Sequence, residues 1–221
     1  PRDFDDDTPF FPENADHARR AAGAALLAAD IAVMDHQPVF SLMRPPGHHA
    51  TSEQAMGFCY LNNVAIAARW VREKLLAPRV AVWDFDAHHG NGTEAILRAT
   101  AGVLFTSVHQ YPGYPGTGVR SMDNCRNWPI APRTPRAEHM AALRESLDVI
   151  VAFEPTVILV SAGFDAYVRD PITAMSLEIE DFATLGRWLR ETRLPAAAVL
   201  EGGYSEDLPL LIDAFVSAWK K

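Results

Sequence analysis

The chain has 221 residues, of which 48% are hydrophobic and 22% charged, and its formal net charge is −8 at pH 7. These values are typical of one globular domain with a sizeable core. The negative charge argues against a surface that binds nucleic acid through phosphates, and it suits basic substrates. No apolar run is long enough to span a membrane. Two cysteines are too few for a disulfide framework, so we expect a cytoplasmic protein.

Helices and strands alternate along the chain. Apolar residues at helical spacing predict helices over 13–34, 62–76, 93–100, 134–153 and 207–219, with another that begins near Ser176. Thr134 and Ser176 are the predicted N-caps of their helices. Short apolar runs predict strands over 39–43, 80–83, 103–108, 156–161 and 196–200, and residues 110–133 are predicted to form a loop. This repeat of strand, polar loop and helix predicts an α/β fold, with a mainly parallel sheet and helices on both faces.

Unusual polar residues follow each predicted strand. They are His48 and His49, residues 84–89, residues 107–109, Asp165 and Tyr204. Because ligands bind beyond the carboxyl ends of the strands in such sheets, we expect these five loops to form one site.

The densest of these loops predicts a metal site. Asp86 and His88 are two residues apart, so both reach one side of an extended segment, and their oxygen and nitrogen ligands suit Zn²⁺. Asp165, which follows the buried strand 156–161, is the best third ligand. Asp170 is its local rival, but it precedes a proline and resembles a turn former.

Acid–base and hydrogen-bonding groups accompany the predicted metal ligands. His48 and His49 favour proton transfer from a water that Zn²⁺ activates, although tandem residues cannot point the same way from an extended backbone. Asp84 and Asn91 are candidates to orient the two rings. Tyr204 follows two glycines and is a candidate hydrogen-bond donor to an oxyanion.

Two aromatic residues on glycine-rich loops predict a narrow slot. Phe58 and Tyr114 on either side of such a slot would select a long, thin alkyl chain. The acidic run at Asp5, Asp6 and Asp7 is predicted from composition to be a solvated turn.

The motifs together resemble the zinc-dependent histone deacetylase family, which includes acetylpolyamine amidohydrolases and acetoin-utilisation proteins. Six matching stretches occur in the family's order: R-P-P-G-H-H-A (44–50), G-F-C-Y-L-N-N (57–63), D-F-D-A-H-H-G-N-G-T (84–93), the loop 111–118, S-A-G-F-D-A (161–166) and E-G-G-Y (201–204). Asn91, where some branches have Asp, resembles the class II-like branch. The resemblance implies an arginase-like α/β fold and hydrolysis of an N-acetyl amide to acetate and free amine.

The resemblance also implies a role for each matched residue. Asp86, His88 and Asp165 would hold Zn²⁺, or Fe²⁺ in its place. His49 would be the main acid–base residue, partnered by Asn91, and His48 would be the second histidine, paired with Asp84. Tyr204 would polarise the acetyl carbonyl. Gly57, Phe58 and Tyr114 would line the acyl tunnel, and Asp7 would be the acid at the rim.

Monovalent cations, K⁺ or Na⁺, are implied at two further sites. The first would use Asp84, Ser107 and backbone groups of Asp86, His88 and Val108. The second would use the backbone near Leu97, Thr100 and Val103.

Substrate and domain organisation leave alternatives open. Acetyl-lysine in proteins is the preferred substrate, since the loop 111–118 is more similar to the lysine deacetylases; acetylpolyamines and small acetylated metabolites are the alternatives. An arginase-like hydrolase with two metal ions and an inactive acyl-binding module are the competing functions, and an oligomer is compatible with each. We expect residues 1–221 to form a single domain that lacks the N-terminal stretch that family members usually carry.

Overall fold

A computed structural model describes residues 3–220 of the chain, which form six helices and six strands. The helices are Asn14–Asp35 (α1), Asn63–Glu73 (α2), Asn91–Leu97 (α3), Arg136–Phe153 (α4), Ile179–Glu191 (α5) and Leu208–Lys220 (α6). The strands are Val39–Ser41 (β1), Val80–Asp84 (β2), Val103–Gln110 (β3), Cys125–Ile130 (β4), Val157–Ala162 (β5) and Ala196–Leu200 (β6). None of these helices has both the length and the apolar character that crossing a membrane requires.

All six strands lie in one parallel sheet with the order β1-β6-β5-β2-β3-β4. The chain builds outward from β2 through β3 to β4, then returns to place β5 on the other side of β2. The strand order therefore reverses between β2 and β5, which is where open α/β sheets form a ligand crevice. The predicted parallel sheet is confirmed.

Two apolar cores cover the two faces of the sheet. In β2, Val80 and Val82 pack in the core that includes α1 and α2, whereas Ala81 and Trp83 pack in the core that includes α4, α5 and α6. Every residue of β2, β5 and β6 is buried, because helices lie on both faces. The predicted placement of helices on both faces is confirmed as well.

The prediction of an uninterrupted loop over 110–133 is wrong, because β4 lies inside it. This strand pairs only with β3 and forms an edge of the sheet. It carries Arg126, Asn127 and Pro129, so it has no apolar run that would have revealed it. Proline is tolerated there because an edge strand pairs on one side only.

Both predicted N-caps are wrong. The residue that precedes α4 is Pro135, which makes no side-chain cap, and α5 begins with a capping box between Glu178 and Asp181. The predicted caps contact each other instead: the Ser176 hydroxyl donates to the carbonyl of Thr134 at 2.8 Å. Two acidic side chains at the start of α5 cap it and also suit the positive end of the helix dipole.

Candidate metal centre

The three predicted metal ligands meet at the crevice between β2 and β5. Asp86 and His88 follow the end of β2, and Asp165 follows the end of β5. The Nδ1 atom of His88 lies 3.1 Å from Asp86 Oδ1 and 2.8 Å from Asp165 Oδ2. One ligand atom from each residue lies within 4.8 Å of the other two. The rival Asp170 is not in this group, which covers residues 3–220.

Backbone amides hold one oxygen of Asp165 and both oxygens of Asp86, whose Oδ1 accepts from the His88 amide at 2.8 Å. Asp165 Oδ1 accepts from the Ala87 amide at 2.8 Å, and Asp86 Oδ2 accepts from the Gly202 amide at 2.7 Å. Asp165 Oδ2 is buried and makes no hydrogen bond within the described residues, although His88 Nδ1 lies 2.8 Å away. A buried carboxylate oxygen without a partner is costly, and a cation at this point would satisfy it. Two carboxylates and an imidazole fit the ligand preferences of Zn²⁺.

The charges in the site also favour a cation. Burial lowers the pKa of His88, but the carboxylates of Asp165 and Asp86 outweigh it and raise that pKa to about 11. Burial, followed by the charge of Asp86, raises the pKa of Asp165 to about 6. The two carboxylates therefore repel each other in a buried place, and a positive charge between them relieves this repulsion.

The tandem histidines lie side by side next to this centre. The backbone at residues 48–49 is a turn, so the restriction that an extended backbone would impose does not apply, and the ring centroids are 4.0 Å apart. His48 Nδ1 lies 3.1 Å from Asp84 Oδ2, and His49 Nδ1 lies 2.8 Å from Asn91 Oδ1. Since the oxygen of Asn91 can only accept, we assign the proton to His49 Nδ1, which leaves a lone pair on Nε2.

The two rings have opposite pKa shifts. Burial lowers the pKa of His48, but the carboxylates of Asp86 and Asp84 outweigh it and raise that pKa to about 10. Burial, followed by repulsion from His48, lowers the pKa of His49 well below its ordinary value. A charged imidazole thus lies beside a neutral one, and such divergence is typical of acid–base sites.

Tyr204 is anchored through its backbone. Its amide donates to Asp170 Oδ2 at 2.9 Å, so Asp170 positions the tyrosine. Gly203, just before it, has a φ of +129°, which glycine adopts readily. Burial, and then the charges of Asp165 and Asp86, raise the pKa of Tyr204. The phenol therefore stays protonated and able to donate.

A cavity of about 240 Å³ connects these groups to the surface. It is lined by Asp7, His49, Gly57, Phe58, His88, Tyr114, Ile172 and Tyr204. Seven of these eight residues are sequence-predicted site residues, and Ile172 is the addition. The Phe58 and Tyr204 ring centroids are 5.8 Å apart, and the Tyr114 ring meets His49 edge-on at 5.0 Å. A side chain at Gly57 would lie 2.6 Å from the His49 ring, so only glycine fits there.

The residues of the predicted monovalent-cation sites make protein contacts. Ser107 pairs with Asp84 in the sheet, next to buried Val108, and its hydroxyl lies 2.9 Å from His109 Nδ1. At the second site, Nδ2 of the Asn124 side chain donates to the carbonyls of Leu97 and Val103, both at 3.0 Å. Cation binding at these positions stays a prediction.

Glu201 is a site residue that the sequence reasoning missed. It is fully buried, and its Oε2 accepts from the amides of Gly47 and His48 at 2.7 and 3.1 Å. Arg44 donates to its carbonyl, and Ser161 donates to its Oε1 at 3.1 Å. Glu201 directly follows β6, so the rule that polar residues at strand ends build the site would have found it.

The acidic run near the N-terminus is only partly the predicted solvated turn. Asp6 and Asp7 are exposed, but Asp5 is half-buried and accepts from the Gly57 amide at 3.2 Å. This contact spans 52 residues of sequence, so local composition gave no sign of it.

The whole of this architecture matches one family model. Residues 2–218 match the model described as the histone deacetylase domain. The chain belongs to the histone deacetylase family. It is 41% identical to a probable deacetylase of Methanothermobacter thermautotrophicus, over 92% of this chain and 64% of that protein. It is 38% identical to a histone deacetylase-like amidohydrolase of Pseudomonas aeruginosa, over 90% of this chain and 57% of that protein.

A solved structure has the same fold. The acetylpolyamine aminohydrolase of Burkholderia pseudomallei superposes with a TM-score of 0.84 at 35% identity, over 91% of this chain and 62% of that one. The chain therefore has the deacetylase fold, and it spans a little less than two thirds of the length of these three relatives.

Proposed function

We propose that this protein hydrolyses an N-acetylated amine to acetate and the free amine, with Zn²⁺ held by Asp86, His88 and Asp165. One observation carries the proposal: the ligand atoms of these residues lie within 4.8 Å of one another, and the cavity that reaches His88 is also lined by His49 and Tyr204. When bound, Zn²⁺ would polarise a carbonyl oxygen and lower the pKa of a water molecule.

His49 is the general base of the proposed reaction. Its Nδ1 donates to Asn91, so Nε2 keeps a free lone pair, and burial keeps the ring neutral. It accepts a proton from the attacking water and returns a proton to the departing amine. His48, held charged by Asp84 and Asp86, lies beside it and stabilises negative charge that develops on the reacting group.

Tyr204 is the hydrogen-bond donor to the carbonyl oxygen of the substrate. Its phenol is protonated, lines the cavity, and is fixed at its backbone by Asp170. A donor that is in place before the reaction costs no reorganisation as negative charge develops on the oxygen. Such a contact typically contributes about 3–4 kcal/mol to the barrier reduction.

The substrate enters through a channel between aromatic rings. Phe58 and Tyr114 lie on two different loops that line the cavity, and its volume of about 240 Å³ suits a linear alkyl chain that ends in an acetamide. Asp7, which is exposed and lines the same cavity, would accept hydrogen bonds from the backbone of a peptide substrate. We therefore propose an acetyl-lysine side chain as the preferred substrate.

An acetylpolyamine is the second candidate, and two observations favour it. Asp7 is exposed and lines the cavity, so its carboxylate would attract a second ammonium group. The protein is also similar to an acetylpolyamine aminohydrolase of known structure.

A substrate panel tests the proposal. Zinc-reconstituted protein is incubated with acetyl-lysine peptides, acetylputrescine and acetylspermidine, and released acetate is measured. The controls are chelator-treated protein and the Asp165→Asn variant, which keeps the shape of the ligand but removes its charge. We expect zinc-dependent acetate release that both controls lose. Zinc-replete, folded protein that cleaves no acetylated amine would contradict the proposal.

A further inference from the structure

The cavity wall that carries Phe58 is a two-residue hairpin turn. Met56 and Cys59 exchange both backbone hydrogen bonds, at 3.0 and 2.9 Å, and Gly57 and Phe58 lie between them. Both central residues are left-handed, with φ values of +55° and +65°. This is the pattern of a type I′ turn. Glycine adopts it freely, but Phe58 does so at a cost that neighbouring contacts must offset.

The backbone amides of this turn donate to the N-terminal loop, which is formed by residues 4–8. Gly57 N donates to Asp5 Oδ2 at 3.2 Å, and Phe58 N donates to Thr8 Oγ1 at 3.0 Å. The two acceptors come from about 50 residues earlier in the chain. Asp5 is half-buried and Thr8 is fully buried. The hairpin's own two hydrogen bonds join Met56 and Cys59 and leave the amides of Gly57 and Phe58 without a partner in the turn. The N-terminal loop supplies the acceptors for these two amides.

The N-terminal loop is also closed on itself. Thr8 accepts from Phe4 N at 3.0 Å through its carbonyl, and Thr8 N donates to the Asp5 carbonyl at 3.3 Å. The second carboxylate oxygen of Asp5 accepts from Asp7 N at 3.1 Å. The Asp5 carboxylate thus holds the backbone of Asp7 with one oxygen and the backbone of Gly57 with the other. Asp7, Gly57 and Phe58 all line the same cavity.

The geometry points to Asp5, with Thr8, as a positioning residue that sets the width of the acyl tunnel by holding the Gly57–Phe58 turn and the Asp7 backbone together. This inference rests on the proposed function, because the tunnel it shapes is the one that would admit the substrate. Asp5 acts through these residues and does not touch the reacting atoms. Its neighbour Asp6 is exposed and makes no side-chain hydrogen bond within residues 3–220, so it is a matched control for charge.

Amide hydrogen exchange at Gly57 and Phe58 tests the contacts directly. We expect the Gly57 amide to exchange about tenfold faster in Asp5→Ala, and the Phe58 amide about tenfold faster in Thr8→Val, since each substitution removes the acceptor of that amide. In Asp6→Ala, which removes the same charge, and in Thr8→Ser, which keeps the hydroxyl, the rates stay at the wild-type value. Thr8→Val preserves side-chain shape, so it carries the test if Asp5→Ala does not fold.

Steady-state kinetics on zinc-loaded protein test the consequence for the tunnel. With acetyl-lysine and butyryl-lysine peptides, Asp5→Ala should raise KM for the acetyl peptide about tenfold while kcat stays within about twofold, because positioning of bound substrate is lost. The ratio of kcat/KM for the acetyl peptide to kcat/KM for the butyryl peptide should also fall about tenfold in this variant. A merely destabilised protein would lose active enzyme and hence kcat, without this change in KM.

The results of these two experiments distinguish the positioning role of Asp5 from the proposed function. Exchange rates and KM values in Asp5→Ala that equal those of Asp6→Ala would overturn the positioning role. Faster exchange with an unchanged KM and unchanged acyl preference would also overturn it, because the turn would then not set the tunnel. Wild-type protein that cleaves neither peptide would contradict the proposed acetyl-lysine substrate, and in that case unchanged exchange rates would still overturn the positioning role.

Discussion

Replacing Gly202 by alanine should disable the metal centre without removing any ligand. A Cβ atom at this position would lie 2.4 Å from Asp165 Oδ2 and 2.6 Å from Asp86 Oδ2. Ordinary contact for such an atom begins near 3.4 Å, so the two carboxylates would have to retreat by about 1.0 and 0.8 Å. A zinc site tolerates shifts of about 0.2 Å in its ligand distances. We therefore expect zinc affinity to fall by at least about 100-fold, or about 2.7 kcal/mol.

A competition titration measures this loss. Wild-type protein, Gly202→Ala and Gly23→Ala are titrated with zinc against a chromophoric chelator, and circular dichroism reports whether each variant is folded. Gly23 is a fair control because it lies in α1 and a Cβ there would meet no atom within 4 Å. Gly23→Ala should keep wild-type zinc affinity. A folded Gly202→Ala protein with wild-type affinity would refute the placement of zinc between these two carboxylates.

Three further predictions concern single residues. Asp165→Ala should abolish stoichiometric zinc uptake, measured by elemental analysis; full zinc occupancy would remove it from the ligand set. Tyr204→Phe should keep zinc but lower kcat about 100- to 1,000-fold, and unchanged turnover would show that the phenol is not the donor. Burial lowers the pKa of His139 from its ordinary value of 6.5 to about 4. Between pH 4 and pH 6.5, His139 is protonated in the unfolded chain but neutral in the folded protein. The free energy of unfolding should therefore fall by about 3 kcal/mol as the pH drops from about 6.5 to about 4. Urea unfolding should show a flatter pH dependence for His139→Gln, and equal slopes would contradict this.

The strands that position the site could be predicted from the sequence, because burial on both faces of the sheet requires uninterrupted apolar runs. Val80–Asp84 and Val157–Ala162 are fully buried, and the polar residues that follow each run stand out by contrast. The parallel arrangement then brings their carboxyl ends to one edge, so the meeting of Asp86, His88 and Asp165 follows from topology alone.

Features that depend on tertiary contacts could not be predicted from local sequence patterns. The strand Cys125–Ile130 lies at the sheet edge and contains Pro129, so it lacks the apolar signal of a central strand. The predicted cap at Ser176 was wrong because Glu178 and Asp181 form the capping box at the start of the helix. The role of Asp5 depends on a hydrogen bond to Gly57, and no local pattern reports a partner 52 residues away.

X-ray diffraction from zinc-loaded crystals, collected on both sides of the zinc absorption edge, tests the central claim most directly. We predict a single strong anomalous peak about 2 Å from His88 Nδ1 and from one oxygen each of Asp86 and Asp165. A peak elsewhere, or none between these residues in protein that binds zinc stoichiometrically, would contradict the assignment of the metal centre.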